Sequence, residues 1–235
     1  MSIGKLHLIP SPLGDNDPTD VIPMNVLSVA CSLKCYIAED IRTARRFLSK
    51  YGLKGHMDEL EFHTLNEHST QEEIQSLLEL FDKGDVGLIT DAGLPAVADP
   101  GAALVALCHK RGIKVLPFVG PSSLMLALMA SGLNGQSFAF CGYIPAKTDE
   151  RRCALKNIEK LSMSRNQSQI IIETPYRNDS LFDDMITYLS PSTRVCVAAD
   201  ITLETQFIRT LTVGEWRRCQ GFSIGKRPCV FVLLG

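Results

Sequence analysis

The sequence predicts an α/β protein of two domains, the first on a mostly parallel sheet and the second on a mixed sheet. Three observations predict it. Through the first half, short β-rich apolar runs alternate with helix-period segments, the pattern of right-handed crossovers between parallel strands. From about Gly135 the texture changes, and strand-like runs include neighbours with little helix between them. The length, 235 residues at 45% hydrophobic and 21% charged, suits one large domain or two small ones, each with its own core. The boundary is placed to give domains 1–119 and 120–235, with a cleft between them as the default ligand site.

Taken in order, LHLI (6–9) is a strand, and Pro23 opens a helix that runs to about Ser32. CYIAED (35–40) is a strand whose acidic end meets the helix IRTARRFLSKYG, closed by Gly52. EFHTL (61–65) is a weaker strand. Thr70 and Glu73 form a capping box, followed by Ile74, Leu77, Leu78 and Phe81 at i, i+3, i+4 and i+7. VGLIT (86–90) is nearly all apolar, as a strand covered on both faces would be. Asp99-Pro100 supplies an N-cap and a first-turn proline for GAALVALCHKR, stopped by Gly112. KVLPFV (114–119) and PSSLMLALMAS (121–131) complete the half. The second half carries the strands FAFCGYI (138–144), QIIIET (169–174), RVCVAAD (194–200), QFIRTLT (206–212) and CVFVLL (229–234).

Composition excludes several classes. A net charge of −2 lacks the basic excess of a dedicated nucleic-acid binder, so any RNA contact must come from local patches. Eight cysteines, several within apolar segments, read as reduced thiols in a cytoplasmic protein rather than a disulfide scaffold. The N-terminal apolar stretch is too short, and too broken by proline, for a signal peptide. No charge occurs between Lys114 and Lys147, but Pro117, Gly120, Pro121, Gly132 and Gly135 interrupt that stretch, which reads as buried core rather than a membrane span.

In open parallel sheets ligands bind beyond the carboxyl ends of the strands. SPLGD (11–15), AED (38–40), TDAGLP (90–95) and GPSS (120–123) all fall at such ends. Gly93 and Gly120 would let backbone approach a ligand there without a Cβ in the way. The chain lacks G-x-G-x-x-G after its first strand and lacks G-x4-G-K-[ST], which disfavours dinucleotide and nucleoside-triphosphate sites. His63, Glu67 and His68 resemble a metal cluster by composition only, and no metal is expected. The residues alone thus indicate a small-molecule site in a two-domain α/β protein.

The order SPLGD, AEDIR, LNE, TDAGLP…DPG, VGPSS, YIPAK and ETPYR resembles the tetrapyrrole methylase superfamily. Within it, the pattern is similar to the branch of 16S ribosomal RNA 2′-O-ribose methyltransferases. The resemblance runs along nearly the whole chain. It implies S-adenosylmethionine as methyl donor, held in the cleft between two α/β domains of a homodimer, with ribosomal RNA as substrate. It also implies cofactor contacts at Leu94, Pro95, Val97, Ser122 and Ser123, and at Glu173, Thr174 and Asp200, with Pro12 and Asp91 lining the same cleft. Three features depart from the branch. AADITL (198–203) lacks an arginine and a lysine, with aspartate at 200 in place of glutamate; Leu65 replaces a histidine; and the sequence ends at VFVLLG where the branch continues into a basic tail.

Methyl transfer needs collinear placement, and a carboxylate or polarising group near a ribose hydroxyl would help; Glu39, Asp40 and Glu67 are the candidates. Helix-start roles for Glu39 and Asp40 stay open. Arg42, Arg45 and Arg46, with Lys147, Arg151 and Arg152, are expected to form one stripe of phosphate contacts. Two other readings stay open: C-methylation of a porphyrin-like ring, and a non-catalytic cofactor-binding protein.

Overall fold

A computed structural model describes residues 3–235, in two compact units, Met1–Ser122 and Ser123–Gly235. The first unit runs β1 (Leu6–Ile9), α1 (Pro18–Val21), α2 (Met24–Ser32), β2 (Cys35–Ala38), α3 (Ile41–Leu48), β3 (Glu61–Thr64), α4 (Gln71–Ser76), β4 (Val86–Ile89), α5 (Gly101–Lys110) and β5 (Val115–Pro117). Its strands pair in the order β3-β2-β4-β1-β5, all parallel. Alternation along β1 sends Leu6 to one core and Ile9 to the other. One core gathers Val26, Leu27, Phe47 and Tyr51; the other gathers Ile74, Leu77, Phe81 and Leu104. Sandwiched between them, β4 is buried at every position, as its unbroken apolar run requires.

Local signals place most of these elements. The capping box is formed: Thr70 Oγ1 accepts from the Glu73 amide and Glu73 Oε2 accepts from the Thr70 amide. The helix it opens tightens into a 3-10 turn over Leu77–Asp82. Helix α3 ends at Leu48, and a wider turn with Gly52 at φ 125 closes it. The readings of β1 and β10 match the paired segments, while several others ran one or two residues past them into mostly polar residues such as Glu39-Asp40, Thr90, Glu173-Thr174 and Asp200.

The second unit runs α6 (Ser123–Ser131), β6 (Phe138–Gly142), α7 (Thr148–Arg165), β7 (Ser168–Ile172), α8 (Asn178–Tyr188), β8 (Arg194–Ala199), β9 (Phe207–Thr212), α9 (Val213–Trp216) and β10 (Cys229–Leu234). The sheet order is β6-β7-β10-β8-β9. Strands β6 and β7 are parallel, whereas β10 is antiparallel to both β7 and β8, and β8 to β9. The carboxyl ends of β6, β7 and β8 therefore share one edge. The core joins Leu155, Ile171, Phe182, Val197, Trp216 and Phe231.

Helix α7 spans 18 residues between strands where the sequence reading placed none. Its fully buried positions are Arg151, Leu155 and Ser162, so two of the three are polar and the apolar period is masked. The charge-free stretch resolves into β5, α6, β6 and their loops, and among the described residues no helix is long and apolar enough to cross a membrane.

Candidate functional site

The loops leaving β1 and β4 are stitched together. The Ser11 amide donates to the Gly93 carbonyl (2.9 Å), and the Gly93 amide donates back to Ser11 (3.0 Å). The buried Ser11 hydroxyl donates to the Thr90 carbonyl at 2.7 Å. Tyr51 reaches over from the turn after α3, its hydroxyl donating to the Pro10 carbonyl at 3.0 Å. Each bond satisfies a polar group that the loop would otherwise bury unpaired.

Asp99 does more than cap a helix. Its Oδ1 accepts from the Gly101 amide (2.7 Å) at the start of α5, as an N-cap would, and from the Ala96 amide (3.2 Å). Its Oδ2 accepts from the Thr90 hydroxyl at 2.7 Å. The carboxylate thereby folds residues 96–98 back onto the end of β4. Ala96 (φ 65) and Ala98 (φ 55) sit in the left-handed region, at a cost of about 1–2 kcal/mol each. This clamp holds Val97 outward, 46% exposed, beside half-buried Leu94 and buried Pro95.

The two glycines let neighbouring loops pack closely. Gly93 turns the chain at φ 75, and a Cβ there would meet Leu13 Cδ2 at 3.3 Å. A Cβ on Gly120 would lie 2.1 Å from Pro10 Cβ. Their missing side chains let the loops after β1, β4 and β5 approach one another. Pro12 is buried against this junction, and Ser122 and Ser123 lead half-buried into α6.

Carboxylates gather at the same sheet end. Burial raises the half-buried Glu39 carboxyl above its usual range, and the charges of Asp91, Asp99 and Glu67 raise it further. Crowding by protein atoms likewise raises Asp91 at the rim, helped by the Asp40 and Asp99 charges and opposed by a bond from the Asp40 amide. Asp40 itself caps α3, accepting from the Arg42 amide at 2.7 Å and the Thr43 amide at 3.4 Å. Glu67 is exposed, 3.6 Å from His68. His63 instead bonds Glu61 at 2.8 Å, near Cys35, towards the opposite ends of β2 and β3.

In the second unit, Glu173 follows β7 with its side chain fully buried. Its Oε1 accepts from the Thr174 amide (2.7 Å) and from Arg177 Nε (3.0 Å) and Nη2 (2.7 Å), while Oε2 is buried without a partner. Asp200, buried at φ 50 after β8, accepts from Thr205 Oγ1 at 2.9 Å and lies 3.9 Å from Arg227. Both stand at the shared edge of β6, β7 and β8.

Within the second basic group, Arg151 does not offer the expected phosphate contact. The Arg151 side chain is 5% exposed and donates to Asp184 (2.5 Å), Ser180 (3.0 Å) and the Ala146 carbonyl (3.3 Å). It is a structural ion pair. Arg152 stacks on Tyr188 and Lys147 pairs with Glu150. The Tyr51–Pro10 and Asp99–Thr90 contacts were missed because each partner lies on another element, whereas Arg177 and Glu173 are only four residues apart and their pairing was open to a local reading. Only the repeated Gly–Pro punctuation around 91–101 hinted at a constrained loop.

The family model for the tetrapyrrole (corrin/porphyrin) methylases matches residues 29–216. The chain belongs to that family. As a family member it is an S-adenosylmethionine-dependent methyltransferase. It is 32% identical over 215 residues to the ribosomal RNA small subunit methyltransferase I of Escherichia coli O157:H7, covering 91% of this chain and 71% of that one. The protein of that name from Neisseria meningitidis serogroup B is 33% identical over 212 residues, covering 90% and 69%. The one from Hydrogenobaculum is 31% identical over 210 residues, covering 87% and 84%. Among solved structures, the methyltransferase CobJ superposes with a TM-score of 0.66 at 13% identity, covering 99% of this methylase and 94% of that chain. Uroporphyrin-III C-methyl transferase from Thermus thermophilus, complexed with S-adenosyl homocysteine, superposes at 0.56 and 15% identity, covering 98% and 97%. Those two likenesses concern the fold.

Proposed function

We propose that this methylase transfers a methyl group to a ribose 2′-hydroxyl of small-subunit ribosomal RNA. One observation carries the reading: relatives named ribosomal RNA small subunit methyltransferase I are 31–33% identical over roughly nine-tenths of the chain.

The residues present fit the cofactor. In the first unit the proposed contacts are Leu94, Pro95 and Val97 on the clamped loop, Ser122 after β5, and Pro12 and Asp91 beside them. In the second unit they are Ser123, Glu173, Thr174 and Asp200. A rim bearing Asp91 and Glu39 suits a cationic sulfonium, and the unpaired Glu173 Oε2 is a buried acceptor for an amine or hydroxyl. When bound, S-adenosylmethionine supplies a methyl group already activated on positively charged sulfur.

What remains for the protein is placement and one proton. Glu39, its carboxyl raised by burial and by neighbouring charge, is the proposed acceptor of the ribose hydroxyl proton as the oxygen bonds to the methyl carbon. Asp40, committed to capping α3, positions Glu39. Glu67 adds negative charge from the rim. We also propose a homodimer in a reducing cytoplasm, in keeping with eight free thiols.

The test is incorporation of tritiated methyl from the cofactor into small ribosomal subunits lacking the modification, with a porphyrin substrate in parallel. Label in RNA, resistant to alkaline cleavage at one ribose, is the expected result. Label in the porphyrin alone, or cofactor binding without turnover on either, would overturn the proposal.

A further inference from the structure

The edge where β6 and β7 end carries two large aromatic side chains that the core does not use. Tyr143, just past β6, is 59% exposed, and Tyr176, in the 3-10 turn Pro175–Arg177, is 71% exposed. Arg177 joins them: its guanidinium carbon lies 5.4 Å from the centre of the Tyr176 ring, and Tyr143 follows β6, the parallel neighbour of the strand that leads to Tyr176. Buried Glu173 grips Arg177 through Nε and Nη2, so the planar cation is held at one angle.

The next two residues bring more positive charge to the same place. Asn178 donates to the Arg227 carbonyl at 2.7 Å. Asp179 accepts from the Ile224 amide (2.7 Å), the Gly225 amide (3.2 Å) and the Ser223 hydroxyl (2.9 Å). These bonds tie the 223–228 loop, with exposed Lys226, to the start of α8 directly after Tyr176 and Arg177.

Resting on the RNA reading above, we propose that Tyr143, Tyr176 and Arg177 form a stacking platform for an unstacked base of single-stranded RNA, with Lys226 meeting the adjoining phosphate. Flat aromatic and guanidinium faces are the surfaces on which proteins stack splayed bases, and a preset platform loses little entropy on binding. The flanking lysine gives the charge complementarity that a backbone phosphate requires. An apolar protein partner would gain nothing from a guanidinium fixed by a buried carboxylate.

The test uses a short single-stranded RNA carrying 2-aminopurine, whose fluorescence is quenched on stacking. The intact protein is expected to quench it. Tyr143→Ala with Tyr176→Ala is expected to abolish quenching and weaken binding by on the order of tenfold or more. Tyr176→Phe is expected to retain both. Lys226→Ala is expected to reduce the salt dependence of binding by about one phosphate. Because these side chains are exposed, melting temperature and cofactor affinity are expected to stay at the wild-type level. Unchanged quenching in the double variant, or no quenching by the wild type, would overturn the platform. So would a change in the sedimentation of the double variant with RNA binding intact, which would mark a protein contact. Failure of the platform alone leaves methyl transfer to ribosomal RNA by the wild type untouched, whereas absence of that transfer removes the RNA reading itself.

Discussion

Replacing Arg151 with alanine separates a structural ion pair from an RNA contact. In the fold, the arginine side chain is 5% exposed and its partner Asp184 15% exposed, with three donated bonds at 2.5, 3.0 and 3.3 Å. Removing the buried cation leaves a largely buried carboxylate without its counter-charge, which costs up to about 3–5 kcal/mol. For a chain of this size each kcal/mol moves the melting temperature by about 2–4 °C, so the expected loss is roughly 6–20 °C. Circular dichroism melts measure it. The double variant Arg151→Met with Asp184→Leu, which removes both charges and keeps apolar volume, is expected to recover much of the loss. RNA binding supplies the opposing readout, since a lost phosphate contact lowers the slope of log affinity against log salt by about 0.7–0.9. A melting temperature unchanged in Arg151→Ala, with a lowered salt slope, would refute the structural assignment.

Three further outcomes follow from the first unit. Gly120→Ala places a Cβ 2.1 Å from Pro10 and must spread the loops after β1 and β5. The expected cost is about 1–3 kcal/mol of stability in urea titrations, with a loss of methyl-transfer rate on the order of 100-fold from misplacement; an unaffected rate would detach that junction from the site. Glu39 has a folded-state carboxyl raised above its ordinary 4.5, so its neutral form is favoured in the fold and stability is lost as pH rises through the raised value. Glu39→Gln is therefore expected to melt higher than wild type at neutral pH, with no such gain at acid pH, while methyl transfer falls; a gain confined to acid pH would reverse the sign and sink the argument. Thr70→Ala breaks the capping box of α4 and is expected to cost about 1 kcal/mol without altering cofactor affinity by calorimetry.

The legible features were those whose cause lies within a few residues. Thr70 and Glu73 are three apart, and β4 announces its double burial through an unbroken apolar run. The recurring proline and glycine around 91–101 marked a constrained loop, and the order of motifs marked the family. What stayed hidden depends on distant partners. Nothing near Arg151 distinguishes a phosphate contact from an ion pair, because Asp184 is 33 residues away on α8.

Sequence alone determined the class of fold, the strand positions, most helices of the first half and the chemistry to look for, because periodicity, capping and turn formation act over one or two turns of chain. Tertiary structure decided what each polar group does. Strand order sets β1 between β4 and β5, and only that adjacency puts Gly120 against Pro10 and Ser11 against Gly93 and Thr90. Packing then turned half-buried Asp99 into a loop clamp and buried Arg151 into half of an ion pair, because a polar group drawn away from water must take whichever partner the packed chain brings within reach.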